Sequence, residues 1–398
     1  MNTSSVLDGI RVTDLSRHIS GPYCSSLLAD MGAEVIRVEL PGGDEDRRFG
    51  YLSPSGDSYA FANRMRNKKA ITLNLRTPDG RDIFERLVKN SDIVLENFAM
   101  RDRERLGMNF ESLNRVKPSI ILASISAFGL SGPNRHRIGF DPIAQAISGS
   151  MAFNGFPGNP PTRTAAAWVD YAAATHTAFG ILVALRHRDR TGQGQVVDVA
   201  LADVAAGLVA LHGIYTEFEK LGVERPQTGN RSPYAFADSF RARDGWAFIS
   251  LTRNGVWKRF LKVAGMEELG HDPRFDSDWN RSKNSDALNE IIAPWVAQKS
   301  VEEIISLLGK AGVPCARINT VDQAFSEPQY REREILMDRE HPGTGTVSTL
   351  GIAVKLSATP GNIGRGAPLV GQDNEEVYRD LLGYTDEEIS RFRQEGVI

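Results

Sequence analysis

The first third of this chain alternates short apolar runs with amphipathic segments, and that rhythm constrains the fold more than any other feature. "GIRVTDLS", "AEVIRVE", "KAITLNL", "DIVLEN" and "SIILASISAF" read as buried strands. Between them lie helical stretches with recognisable ends. "GPYCSSLLADMG" has Pro22 near its start and Gly32 at its stop, and "TPDGRDIFERLVKN" places Thr77 as N-cap ahead of Pro78. "NFESLNRVK" supplies a further helix. Strands separated by helices cannot be joined by tight turns, so they pair in parallel with helices packed on both faces.

Further along, the pattern changes twice. From about Asp141 to Arg190 the chain is rich in alanine and glycine and reads mostly helical, followed by a turn, a short strand and a long apolar helix in "TGQGQVVDVALADVAAGLVALHGIYTEF". Near residue 225 "TGNRSPYAFADSFRARDGWAFISL" suggests antiparallel strands joined at Asp244-Gly245. Residues 254–313 are helical and carry Trp257, Phe260, Trp279 and Trp295. The tail ends in "TDEEISRFRQEG", where Thr385 and Glu388 have capping-box spacing. The expected division is therefore a large domain over 1–224, a small α/β domain over 225–324, and a return to the large domain over 325–398. A length of 398 residues suits such an arrangement.

Several function classes lose their support here. The net charge of −3 offers no general attraction to nucleic acid or to anionic membranes. Only Cys24 and Cys315 occur, so neither a disulfide framework nor a cysteine metal site is available. The N-terminus lacks a basic segment followed by an apolar core, and no apolar run reaches the roughly 20 residues of a membrane span. A cytoplasmic location is the expectation. The first strand-to-helix turn, "SRHISGPYC", fails the GxGxxG pattern, and GxxxxGK[ST], HExxH and GxSxG are absent. The histidines show no metal-ligand spacing, and His18 is singled out only because it lies in that first turn, where open α/β sheets bind ligands.

One residue asks for a chemical explanation. In "TRTAAAWVDYAAATHTAFGILVAL", Asp170 is a lone acid in a small, apolar run. Aspartate is a favoured helix cap and the following alanines favour helix, so an N-cap is the plain reading. The other reading is a reacting carboxylate, kept ionised by the helix N-terminus. His176, one and a half turns further on, faces largely away and reads as structural.

The order of "LDGIRVTDLSRHISGPYCSSLLADMGAEVIRVELPGGDEDRR", "NRMRNKKAITLNLRTPDGRDIFERLVKNSDIVLENF", "GPNRHRIGFDPIAQAISGSM" and "DYAAATHTAFGILVALRHRDRTGQGQVVDVAL" closely resembles the family III CoA-transferases. The match runs over residues 7–205 and continues more weakly to the tail. The resemblance implies a large Rossmann-like CoA-binding α/β domain, a small α/β domain, and two chains interlocked as rings in a homodimer. It implies exchange of CoA between an acyl-CoA and a small organic acid, with no metal and no cofactor beyond coenzyme A as co-substrate.

It also implies roles for residues. Asp170 matches the family's nucleophile. Arg76 and Arg105 match contacts to CoA, Asn97 and Phe98 an adenine-side motif, and Leu73 its apolar wall. Arg137 is a further candidate phosphate contact. His18, Ile19, Ser20, Phe140 and Asp141 are candidate site-lining residues. Ile19 replaces a polar residue of some members, and the glycine-rich flap of the formyl-CoA enzymes is missing from "SLTRNGVW"; both argue against oxalate-type specificity. An α-methylacyl-CoA racemase would need a histidine where Phe140 stands, and phenylalanine moves no proton. A non-catalytic CoA-binding protein is the remaining alternative.

Overall fold

The computed structural model describes residues 5–341 and 345–398. The first four residues, part of the stretch read for a signal peptide, lie outside the described residues. A six-stranded sheet forms the centre of the first unit: β1 (Arg11–Asp14), β2 (Glu34–Glu39), β3 (Lys68–Thr72), β4 (Ile93–Glu96), β5 (Ile121–Ser126) and β6 (Val196–Ala200). The strands run in the order β3-β2-β1-β4-β5-β6, and every pairing is parallel. The order reverses between β1 and β4, and a crevice at the carboxyl ends of the strands follows from that reversal.

Alternating side chains of the strands feed two cores, as a sheet covered on both faces requires. Val12, Val35, Ile93, Leu95, Ile121 and Ala123 belong to one core, and Ile36, Val38, Val94 and Leu122 to the other. The connecting helices are α1 (Ser20–Asp30), α2 (Tyr59–Arg64), α3 (Pro78–Lys89), α4 (Met100–Arg105), α5 (Phe110–Val116), α6 (Asp141–Ile147), α7 (Ser150–Phe153), α8 (Trp168–Thr191), α9 (Leu201–Leu211) and α10 (Ile214–Leu221). Thr77 caps α3 through a 3.0 Å bond from the Gly80 N–H to its hydroxyl. The single long helix expected after β6 is two helices, because Gly213 takes a positive φ of 77° and breaks it. Between β2 and β3 lies α2, which Ser58 caps.

The helix α8 is longer than its apolar run suggests. It spans 24 residues, and an 18-residue window has a mean hydropathy of 1.2, which by length and composition alone would cross a membrane. Half of that window is buried, with Val169, Ala173, Ala174 and Ile181 in the first core alongside Cys24 and Leu28 of α1. Small residues in both helices let their backbones approach closely.

The described residues divide into two compact units, one comprising the chain up to Ser150 with Thr164–Lys220 and Gln329–Ile398, the other Met151–Arg163 with Leu221–Pro328. The second contains the antiparallel sheet β7 (Ala237–Arg241), β8 (Trp246–Ser250) and β9 (Cys315–Arg317), with the Asp244-Gly245 turn between the first two. Phe236, Phe240, Trp257, Phe260 and Phe275 fill its core. At the chain's end, Thr385 and Glu388 form the expected capping box.

Candidate active site around Asp170

The site is assembled from the turn that follows β1. Asp14, the last residue of β1, is fully buried and accepts bonds from the Ser16 N–H (2.9 Å), the Ser25 hydroxyl (2.6 Å) and the Lys68 ammonium (3.2 Å). Burial pushes its carboxyl upward, but Lys68, Arg37 and the two serines outweigh that and hold it below its ordinary value. Lys68 also donates to the Pro22 carbonyl at 2.7 Å, and burial brings its ammonium down to about 8. Arg37, buried as well, holds the Ser16 carbonyl at 3.0 Å. The turn is thus bound to β2, β3 and α1 by charged bonds that water does not reach, which makes them strong.

Glycine completes the closure. A Cβ on Gly21 would lie 2.1 Å from the Ser16 Cβ, so only glycine lets α1 begin this close to the turn. His18 adopts a positive φ of 66°, an uncommon conformation for a non-glycine residue. Its N–H donates to Asp46 at 3.0 Å, and its ring meets Phe140 edge-on at 5.7 Å. Ile19 is half-buried and Ser20 is buried at the first position of α1.

Ser20 lies close to the carboxylate of Asp170, and its hydroxyl favours the charged form. Asp170 is the third residue of α8, not its N-cap, and is only 9% exposed. The cap comes from elsewhere: the Asp141 carboxylate, in the first turn of α6, accepts from the N–H groups of Val169 (2.8 Å) and Asp170 (3.3 Å). Gln145 donates to the other oxygen of Asp141. Asp141 is therefore buried beneath the site as a cap.

The helix N-terminus does not keep Asp170 at an ordinary carboxylate pKa. Burial first, and the nearby Asp141 charge second, raise its pKa to about 6, against the opposing pull of the Ser20 hydroxyl and Arg64. Between pH 4 and 6 the native protein therefore holds a proton that the unfolded chain has released. Stability from this group is complete at low pH, is lost as pH rises through about 6, and stays lost above it. Asp170→Asn is expected to raise the urea midpoint at pH 7.5 by the equivalent of about 1–3 kcal/mol, and by little at pH 4. Equal gains at both pH values would contradict this account.

A pocket of about 520 Å³ is lined by Tyr23, Asn63, Arg64, Leu350 and, from α8, Tyr171 and Thr175; Tyr171 follows Asp170 in the chain, and Asp170 itself is not part of the lining. Arg64, the last residue of α2, is 7% exposed; burial lowers its pKa, and the neighbouring Tyr171 acts against that. None of the sequence motifs singled it out, because an arginine inside "FANRMRNKK" looks like one more surface cation.

The residues matched to CoA contacts fall at the carboxyl edge of the sheet, with mixed surroundings. Arg76 follows β3 and is exposed, as is Arg105, which pairs with Asp102 at 2.9 Å. Phe98 is half-buried against the second core. Leu73 is only 1% exposed and belongs to that core, so its side chain packs the interior and forms no open wall. Asn97 spends its amide on the first turn, accepting from the Arg17 N–H and donating to the Arg17 carbonyl, both at 2.8 Å. Arg137 is exposed and lies over the Phe128 ring at 5.0 Å. Phe140 is 58% exposed. His176 is exposed, with its ring bonded to the Ala172 carbonyl.

A buried ion network behind His18 also went unread in the sequence. Glu39, Asp44 and Asp46 approach one another closely enough to hold a cation. Arginines already neutralise them: Arg37 binds Glu39 (2.9 Å) and Asp46 (2.8 Å), Arg47 binds Glu39 (2.7 Å), and Arg17 binds Asp44 (2.7 Å).

Comparison with known proteins adds three findings. A family model described as CoA-transferase family III matches residues 7–374. A succinyl-CoA–D-citramalate CoA-transferase of Chloroflexus aurantiacus is 37% identical over 98% of both chains, and a formyl-CoA:oxalate CoA-transferase of Streptomyces coelicolor is 32% identical over 100% of both. A crystal structure of a CAIB/BAIF family protein from Brucella suis superimposes with a TM-score of 0.84 at 30% identity, covering 95% of this chain and 100% of that one.

Proposed function

The chain belongs to the family III CoA-transferases, and on that premise we propose that it exchanges CoA between an acyl-CoA thioester and a small organic acid with Asp170 as nucleophile. The observation that carries the assignment is the buried Asp170 carboxylate, its pKa raised to about 6, on the turn of α8 whose next residue, Tyr171, lines a pocket. A carboxylate oxygen attacks the thioester carbonyl, a C–O bond forms, the C–S bond breaks, and CoA leaves as thiolate. The thiolate attacks the Asp170 carbonyl of the mixed anhydride, leaving an aspartyl-CoA thioester and the free first acid. The incoming carboxylate then attacks that thioester, and the released thiolate takes the new acyl group, restoring Asp170. Each exchange is thus divided into easier covalent steps.

Partial burial serves this sequence. A carboxylate with a pKa near 6 is roughly nine-tenths ionised at pH 7 yet less solvated, and so more reactive, than one in water. The rate is expected to fall about tenfold per pH unit below 6. Asp141→Asn keeps the cap oxygen but removes the like charge, so the inflection should move to lower pH. An inflection that stays in place would show that Asp141 does not set the basicity of Asp170.

Arg76 and Arg105 are proposed to hold the CoA phosphates, with Phe98 on the adenine side; the side chains of Leu73 and Asn97 support the site from within. Arg76→Ala and Arg105→Ala should each raise KM for acyl-CoA about tenfold with kcat little changed, measured by thioester transfer at fixed acceptor. A change confined to kcat would remove these residues from CoA binding.

The relatives' acids, citramalate and oxalate, are dicarboxylic, and a small dicarboxylate is the acceptor class proposed here. No cofactor besides CoA enters the scheme, and a cytoplasmic setting suits it. A homodimer is supported by the exposed apolar side chains of Phe179, Val183 and Leu211 beside a groove on α8 and α9, a surface apolar enough to need covering. Incubation with acyl-CoA and hydroxylamine tests the central claim: the hydroxamate should be trapped at Asp170 and activity lost.

A further inference from the structure

Arg64 is a buried cation whose best hydrogen-bonding edge is empty. Its Nε and Nη2 are shielded from water and have no hydrogen-bond partner. These two nitrogens form one side of the guanidinium, and their parallel N–H bonds match the two oxygens of a carboxylate. Neighbouring buried arginines fill that edge. Arg66 sets Nε and Nη2 on Asp30 at 3.1 and 2.6 Å, and Arg47 sets the same pair on Glu39 at 3.1 and 2.7 Å. The edge of Arg37 is taken by Glu39 and Asp46 at 2.9 and 2.8 Å.

Leaving such an edge unfilled is costly in a buried site, so a group that fills it gains that cost back on binding. Arg64 lines the pocket together with Tyr171, the residue after Asp170. Asn63 is already used: its amide donates to the Tyr59 carbonyl at 3.0 Å and its oxygen accepts from the Leu350 N–H at 2.8 Å. Tyr23 and Tyr171 meet edge-on at 5.3 Å and give the pocket aromatic walls. Among the described residues that line this pocket, Arg64 is therefore the cationic group.

We propose that Arg64 binds the non-reacting carboxylate of the acid whose other carboxylate exchanges CoA at Asp170, and so selects dicarboxylates over monocarboxylates. This rests on the CoA-transferase reading of the Asp170 site and adds to it the residue that sets acid specificity. The reacting carboxylate needs no cation, since it becomes an anhydride; the distal one stays charged throughout and needs a fixed partner.

The test compares succinate with butyrate as acceptors, acids of equal chain length that differ in the distal carboxylate. Wild type, Arg64→Met and Arg64→Lys are assayed for kcat/KM, and succinate binding is measured separately by calorimetry. In Arg64→Met the succinate-over-butyrate ratio should fall about 100-fold, as expected for loss of a two-point charged contact. Arg64→Lys keeps the charge without the parallel edge and should recover part of the ratio. Methionine in place of a buried cation with two unfilled N–H groups should not unfold the chain, and the melting temperature checks this. If the two acids lose activity in parallel, Arg64 acts on Asp170 or the fold, and the proposal is overturned. If wild type exchanges CoA with neither acid while succinate binding still depends on Arg64, the carboxylate site stands and the transferase reading of Asp170 fails.

Discussion

Asp170→Ala should lower kcat for CoA exchange by at least about 10⁴-fold, because it removes the atom proposed to form both covalent intermediates. Binding of acyl-CoA should survive, since the proposed phosphate contacts, Arg76 and Arg105, lie at the ends of other elements. The decisive measurement is mass analysis after a pulse of acyl-CoA. Wild type should carry a CoA-sized adduct on the peptide containing Asp170, and the variant none. The fold should be unharmed, because the raised pKa of Asp170 marks a charge that the folded protein accommodates at a cost. A variant that folds and still exchanges CoA at the wild-type rate would leave Asp170 with no role in the chemistry.

The second large effect falls on stability. Asp14→Ala should cost about 3–5 kcal/mol, since it strands the Lys68 ammonium in the interior and removes the carboxylate that accepts from the hydroxyls of Ser16 and Ser25. That is a large share of the total stability of an ordinary domain. The double variant Asp14→Ala/Lys68→Met should recover much of the loss, because removing both charges also removes the cost of burying them. Urea unfolding of the three proteins gives the comparison. If the double variant is no more stable than Asp14→Ala alone, the stranded charge is not the cause. The site depends on this pair, because it anchors the turn and the start of α1, where Ser20 meets Asp170.

Much of the fold was legible along the chain. Each strand of the parallel sheet announced itself as a short apolar run, and Thr77, Pro78, Thr385 and Glu388 marked helix starts by local chemistry. Asp170 was legible as an anomaly, an acid with apolar neighbours. Its local role was misread: position within four residues suggested a cap, and the true cap, Asp141, lies 29 residues earlier in the chain. Arg64 and the Arg37–Glu39–Arg47 network were invisible, since nothing in a run of charged residues tells which will be buried.

The sequence by itself determined the strand–helix alternation, the family resemblance and the acid proposed here as nucleophile. These are local signals, carried by periodicity, caps and short motifs. Tertiary structure alone decided the pKa of Asp170, the capping role of Asp141 and the empty edge of Arg64. Each of those follows from which groups are shielded from water together, and burial is set by packing between segments far apart in the chain.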